Sequence, residues 1–383
     1  MNETVKDGSR PSRLHYLDWA RGIAVLLMIE AHTLDAWTRL DVRRTVAYRN
    51  ATILGGFAAP FFLWLAGVSL VFAAERGGTR GAGVRAVARR GLEIFVLAFL
   101  FRVQGLLVTP GGPLLMIFRV DVLNVMGPAI VAAALVWGIA RSTAARAASF
   151  GAAAAAIAMA TPIVRASALV DWLPIWVQWY LRPAGEQTTF TLLPWAGFVF
   201  AGAAVGALLV GAHASDVARR IHLGLVAVGA ALIALGFVAA TRPSIYEASS
   251  FWTSSPTWFA IRVGILMIAL SGIYALDTAT HRENNENSKT RRNLFPGFRD
   301  FVISWLGTLA VFGRASLFVY WIHVELVYGY ASWLWRHRLP LWATAVAFVA
   351  FSSLMYGAVV LRDRVVTPRR SRRTGALTHA APA

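Results

Sequence analysis

The chain contains no cysteine. That excludes a disulfide framework, a thiol nucleophile and a thiolate metal site. Charge is scarce too: 15% of the 383 residues are Asp, Glu, Lys or Arg, against roughly 25% in a soluble domain. No Walker loop, zinc-ligand helix or nucleophile elbow stands in a usable context, and no metal is expected. No internal repeat of the inverted-repeat transporter kind is present. The first 13 residues are polar, and no small-residue cleavage site accompanies the long apolar block that follows. That block is therefore expected to stay in the mature protein as its first membrane helix.

What the chain has in excess is apolar residues, 57% of the total, with a mean hydropathy of +0.57. They come in blocks of about 20, the length a helix needs to cross a bilayer. In lipid the backbone must satisfy its own hydrogen bonds, so such blocks become helices. The expected spans are 17–37, 52–74, 86–106, 121–140, 147–166, 189–210, 221–241, 257–277, 301–328 and 341–361. Gly313 and Arg314 interrupt the ninth, which reads as a short helix followed by a main one. The alanine-rich run 151–160 has no polar anchor and is expected to pack or face lipid. The fold class is all-α, a polytopic transmembrane bundle of about ten helices. Its parts are an N-terminal tail 1–16, a transmembrane domain 17–362 and a basic C-terminal tail 363–383, expected to be disordered.

The formal net charge is +18 and the isoelectric point is near 11.4. Such a balance raises the possibility of nucleic-acid binding. It is set aside because the arginines lie between apolar blocks rather than on one solvent-exposed face. With the N-terminus inside, the inner segments hold about twice the Lys and Arg of the outer ones, which puts both termini in the cytoplasm. The first outer loop runs against this rule, with Arg39, Arg43, Arg44 and Arg49. That cluster is either a site for an anionic substrate or a charge excess that the other loops outweigh. The outer loops are also rich in aromatics: Trp172, Trp176, Trp179 and Tyr180, then Tyr246, Phe251, Trp252 and Trp258. Interfacial anchoring is their ordinary role, and a sugar-stacking wall is the alternative.

Ionisable residues inside a span are costly and point to function. The first span holds Asp18, Arg21, Glu30, His32 and Asp35. Arg21 and His32 are separated by about three helical turns, so they share a face and lie about 16 Å apart along the axis. Arg21 falls near the inner boundary and His32 in the outer half. Arginine suits the phosphates of a donor, and a neutral imidazole suits general-base catalysis. Asp35, three residues on, is within reach of the ring and is expected to fix its tautomer. His323 in the ninth span lies at a depth like that of His32, and Arg314 matches Arg21, which suggests a shared cavity. A structural alternative makes Asp18 and Arg21 a local pair and His32 a packing residue. Glu30, Asp121 and Trp195 are further candidates for substrate contact. Gly197, Gly202 and Gly206 read as close-packing positions.

At these residues the chain resembles a known family. The stretch RLHYLDWARGIAVLLMIEAH looks like the opening signature of membrane acyltransferases with an Arg-x10-His spacing. The ordered blocks APFFLWLAGVSLVF, VDVLNVMG, LLPWAGFVFAGAAVG and FGRASLFVYWIHVELVYG are similar to bacterial relatives of heparan-alpha-glucosaminide N-acetyltransferase. The resemblance implies transfer of an acyl group, usually acetyl, from cytoplasmic acyl-CoA to a sugar or glycan on the other side of the inner (plasma) membrane. It implies Arg21 on the donor route and His32 near the transfer centre. In the lysosomal enzymes the position matching His32 is asparagine, and the histidine regarded as catalytic lies in the following loop. Here residues 38–50 contain no histidine, so either His32 takes that role or the chemistry differs. The expectation is an acetyltransferase with His32, Asp35 and His323 as catalytic residues and Arg21 and Arg314 on acetyl-CoA. Glu30, Asp121 and Trp195 contact the acceptor. Its partners are acyl-CoA, a glycan acceptor and the bilayer, with a homodimer open as an assembly. The rivals are a transporter or flippase for a polar lipid or sugar that uses the buried charges as a proton relay, and a silent membrane scaffold. Acylation of a lipid-linked or osmoregulated glucan with a non-acetyl group is a further enzymatic option.

Overall fold

A computed structural model describes the backbone of residues 14–108, 113–212, 215–287 and 296–378, and the side chains of 14–108, 113–212, 216–280 and 304–366. Residues 1–13, with Lys6, Arg10 and Arg13, and Lys289, Arg291 and Arg292 lie outside the described residues. The helices are α1 (His15–Trp37), α2 (Val46–Gly55), α3 (Ala58–Glu75), α4 (Arg80–Val108), α5 (Val122–Ile139), α6 (Thr143–Ala166) and α7 (Ile175–Leu181). They continue with α8 (Leu192–Val210), α9 (Ser215–Ala240), α10 (Pro256–Asn287), α11 (Pro296–Arg314), α12 (Ser316–Tyr328) and α13 (Leu341–Thr378). Among the described residues there is no sheet, only two isolated bridges, Thr38 with Leu339 and Val120 with Thr188.

This is a multi-pass membrane protein. Seven segments are long and apolar enough to cross a bilayer, α2 and α3 counting as one, and the bent pair α11–α12 brings the number to eight when taken as one span. Each of the ten spans expected from the sequence has a helix under it. The two outside the hydropathy count are α1, which carries Asp18, Arg21, Glu30 and Asp35, and α4, which carries five arginines including Arg85, Arg89 and Arg102.

Glycines set how closely the helices approach. Lipid tails are as apolar as leucine, so burial of apolar surface does not drive helices together in a membrane; close packing does. A Cβ at Gly67 would strike the Val199 carbonyl, and one at Gly202 would strike the Trp64 carbonyl, which locks α3 against α8. Gly206 meets the Val68 carbonyl, and Gly197 lies under the Phe259 ring. The glycine series of the sixth expected span is thus a packing surface. α1 and α11 cross in the same way, Gly22 against the Leu309 carbonyl and Gly313 against the Asp18 carbonyl. In α6 the alanine run buries Ala154 and Ala158, near Phe150, whose ring meets Phe200 of α8, and leaves most of its length outward.

The ninth span is broken where the sequence indicated, but the helix before the break is the longer, 19 residues against 13, rather than the short one. α11 ends at Arg314, Ala315 leaves helical geometry, and α12 departs at 83°. After this bend α12 meets α1 from His32 to Trp37. At the far end, Trp37 receives the Leu339 amide and Ala36 the His337 amide, at 2.9 and 3.0 Å, and the Thr38 and Thr344 hydroxyls meet at 3.1 Å. The connection between α12 and α13 is thereby pinned to the end of α1. The last helix, α13, runs from Leu341 to Thr378. Within it Arg362 pairs with Asp363 at 2.6 Å.

Candidate functional site

The site is built where α12 meets α1. His32 Nδ1 lies 2.7 Å from His323 Nε2, and the two rings are nearly parallel, 7° apart with centroids at 5.0 Å. His323 is fully buried, and its Nδ1 lies 2.8 Å from the Val319 carbonyl oxygen one turn earlier on α12. A carbonyl only accepts, so His323 Nδ1 carries a proton and donates it. The neutral His323 ring then offers a lone pair at Nε2, so His32 Nδ1 is the donor between the rings. The proton order is therefore fixed from the backbone outward, and Nε2 of His32 is left as an unprotonated base. Among the described residues that atom has no hydrogen-bond partner, and His32 retains partial exposure.

Asp35 does not do what its spacing suggested. Its carboxylate receives the Tyr328 hydroxyl at 2.9 Å and lies 3.4 Å from the Arg43 guanidinium, and no hydrogen bond joins it to His32. Helical spacing put Asp35 within reach of the ring, but the second histidine takes the Nδ1 proton and two residues from other segments take the carboxylate. Asp35 still bears on His32 through Tyr328, whose ring stands edge-on to the imidazole with centroids 5.6 Å apart. Arg43 also donates to the Asp35 carbonyl and touches His337 Nδ1 at 3.3 Å. Nearby in the same loop, exposed Arg39 hydrogen-bonds Asp41 and holds its carboxyl below the usual carboxylate range.

Asp121 opens α5 as its cap, in a reciprocal box with Asn124. It also pairs with Arg102 of α4 at 2.5 Å, and both side chains are mostly buried. Its carboxylate is within electrostatic reach of His32, Tyr320 and Tyr328, so it belongs to the surroundings of the histidine pair. The backbone at Val120 is held by the Gln187 carbonyl and the Thr189 amide, which ties this cap to the α7–α8 connection. Trp321 donates its indole N–H to Gln104 and packs on Phe101, further fixing α12 against α4.

The other candidates lie elsewhere. Trp195 is part of an aromatic cluster with Phe190 and Trp258, at 4.7 and 5.7 Å. Trp258 carries the Arg262 guanidinium on its face at 4.1 Å, and Arg262 also donates to the Gly56 carbonyl. Glu30 lies on a different face of α1 from His32, against Gly55, and its Oε2 is buried without a partner. Trp179 and Trp258 are buried, whereas Trp172, Trp176 and Trp252 are exposed and suit interfacial anchoring.

Arg21 sits at the opposite end of α1 from the histidines. It donates to Asp18 at 2.8 Å and to Ser69 of α3 at 2.7 Å, and keeps 28% exposure. The local Asp18–Arg21 pair of the structural alternative is thus present. Arg314 is exposed and follows Gly313, which touches the Asp18 backbone, so Arg314 and Arg21 gather at one end of the crossing. Among the described residues no group of three His, Asp or Glu side chains is arranged to hold a metal ion.

Four residues of the site escaped the sequence reading: Tyr328, Tyr320, Arg102 and Gln104. Arg102 and Gln104 did carry a signal, as polar groups inside the expected span 86–106. The tyrosines carried none, because tyrosine is common at membrane boundaries.

A family model described as heparan-alpha-glucosaminide N-acetyltransferase, catalytic, matches residues 13–227. It spans Arg21, His32, Asp121 and Trp195 and ends before α12, so His323 lies beyond it. No curated protein matches the chain.

Proposed function

The chain belongs to the heparan-alpha-glucosaminide N-acetyltransferase catalytic family, and on that premise we propose that it carries acetyl from cytoplasmic acetyl-CoA to a sugar or glycan at the extracytoplasmic face of the inner membrane. The chain is an acetyltransferase-type membrane enzyme.

The observation that carries this reading is the histidine pair. His32 Nε2 takes the proton from an acceptor hydroxyl or amine as that oxygen or nitrogen attacks the thioester carbonyl. The new C–O or C–N bond forms, the C–S bond breaks, and the departing thiolate takes the proton from His32 to give free CoA. His323 holds the His32 proton on Nδ1 through the donation it accepts, and the Val319 carbonyl holds His323 in turn. This fills the place a carboxylate occupies in a hydrolase triad. As positive charge develops on His32, the Nδ1–H···Nε2 bond becomes charge-assisted and strengthens. With no cysteine in the chain, direct transfer from donor to acceptor is the simplest scheme. Arg21, with Arg314 nearby, supplies cationic donors for CoA phosphates at the other end of α1. The rise between Arg21 and His32, about 16 Å, is of the order of an extended pantetheine arm.

The test uses purified protein in sealed vesicles, labelled acetyl-CoA and a panel of amino sugars and neutral glycans. Wild type transfers label to at least one acceptor. His32→Ala loses about a hundredfold or more in kcat. Arg21→Ala raises the KM for acetyl-CoA about tenfold, the loss of one charge-assisted contact. No transfer to any acceptor, together with no CoA binding, ends the acyltransferase reading and favours a transporter.

A further inference from the structure

Two connections that are far apart in sequence are joined at the end of α1 that carries the histidine pair. One is the stretch 35–49 after His32, and the other is 329–339 between α12 and α13. They are stitched together by the Arg39 amide to the Leu339 carbonyl at 2.9 Å, by the His337 amide to Ala36, and by Arg43 against His337. Arg39, Arg43, Arg44 and Arg49 come from the first, and Arg336 and Arg338 from the second. The only carboxylates in these stretches are Asp35 and Asp41, already engaged by Arg43 and Arg39. Among the described residues Arg44 and Arg49 are exposed and make no ion pair, and Arg338 donates to the Leu334 carbonyl alone. Six arginines against two carboxylates leave a net positive rim on the same end of α1 as His32.

The same stretches expose large apolar side chains. Leu40 and Val46 are 61% exposed, Trp333 68% and Leu334 66%. Tryptophan and leucine beside arginine form a surface with an apolar part for lipid tails and a cationic part for a headgroup. Guanidinium groups engage phosphate by paired hydrogen bonds. A soluble glycan has no use for the apolar part, and a neutral lipid has none for the arginines.

Resting on the acyltransferase reading, we propose that the acceptor is a membrane-anchored anionic glycolipid whose phosphate is held by this arginine rim. Arg43 contacts Asp35, Asp35 accepts from Tyr328, and Tyr328 stands against His32. A phosphate on the rim therefore sets the attached sugar over the base, with only this short chain of side chains between them. The same phosphate chemistry exists in free phosphate and in CoA, so the experiment separates these sources.

Protein in phosphatidylcholine nanodiscs is titrated with dodecyl phosphate, dodecyl maltoside, inorganic phosphate and CoA. Wild type, His32→Ala and the triple variant Arg44→Gln/Arg49→Gln/Arg338→Gln are compared. Dodecyl phosphate is expected to bind wild type and His32→Ala alike, at least tenfold more tightly than the other amphiphile or inorganic phosphate, and to weaken with salt. The triple variant is expected to lose about tenfold for dodecyl phosphate and to keep its CoA affinity. Equal binding of both amphiphiles, equal binding of inorganic phosphate, or unchanged binding in the triple variant overturns the proposal. A selective loss of CoA affinity in that variant also overturns it, because the rim then serves the donor. Binding is read without turnover, so failure of the rim is distinct from failure of the acetyl-transfer reading.

Discussion

Replacing His323 by leucine removes one partner from the proton-ordering chain while keeping an apolar side chain of similar size in a fully buried position. Two contacts go: the bond from His32 at 2.7 Å and the bond to Val319 at 2.8 Å. Each neutral hydrogen bond is worth about 1 kcal/mol net, so the folding cost is about 1–2 kcal/mol, a fraction of typical stability. The catalytic cost is larger. When His32 takes the acceptor proton it becomes a cation, and a hydrogen bond to a charged group is worth about 1.5–3 kcal/mol. At 1.36 kcal/mol per decade this is a loss of about 10- to 150-fold in kcat. Freed of its partner, His32 also places its proton on either nitrogen, which withdraws part of the population from catalysis. The assay is acetyl transfer in vesicles with kcat and the donor KM measured separately. Nitrogen-15 spectra of labelled histidine report the His32 tautomer in parallel. His323→Leu is expected to lower kcat, leave the donor KM unchanged and shift the His32 proton partly to Nε2. His323→Gln, which can donate and accept, is expected to recover part of the rate. A leucine variant within threefold of wild type, with the same His32 tautomer, refutes the reasoning.

Tyr328→Phe keeps the ring edge against His32 and removes only the hydroxyl that donates to Asp35. We expect kcat to fall about three- to tenfold, consistent with one hydrogen bond of about 1 kcal/mol, with the melting temperature nearly unchanged; an unaltered kcat dismisses Asp35 as a positioning group. At the α1–α11 crossing, Gly313→Ala places a Cβ against the Asp18 backbone, which has no flexible end to yield. Overpacking of this kind costs about 1–3 kcal/mol, so thermal unfolding in detergent is expected earlier. Gly272→Ala, where no neighbouring atom lies within 4 Å, is the control and is expected to be neutral or stabilising. Equal melting temperatures for the two variants would show that the crossing is not tight.

The sequence was legible wherever one helix or the bilayer sets the rule. The all-helical class and the apolar spans followed from the demand that a lipid-exposed backbone bond to itself, with seven to eight helices long and apolar enough to cross a bilayer. The break after Gly313 and Arg314 followed from a glycine and a charge interrupting an apolar run. His323 was within reach because equal depth in a membrane is a strong restriction on where two side chains meet. Partners were not legible where several helices compete for one group. Asp35 was assigned to His32 on spacing alone, but α12 and the loop beyond α1 supplied Tyr328 and Arg43, and a carboxylate goes to a guanidinium and a phenol before a ring already bonded elsewhere. Arg102 and Asp121 come from separate helices, and nothing in their own segments announces the pair.

The crossing and the catalytic pair are linked by geometry. Gly22 and Gly313 fix where α11 meets α1, with Gly313 against Asp18 near the first turn. From there the chain bends by 83° at Ala315, and α12 follows α1 until His323 meets His32, Tyr328 meets Asp35 and the Val327 carbonyl accepts from the Trp37 indole. A shift of one residue in either helix turns its side chains by 100° and would carry one imidazole off the shared face. The 2.7 Å bond is therefore a consequence of glycine packing about three turns away, and Gly313→Ala should reduce turnover as well as stability even though it touches neither histidine.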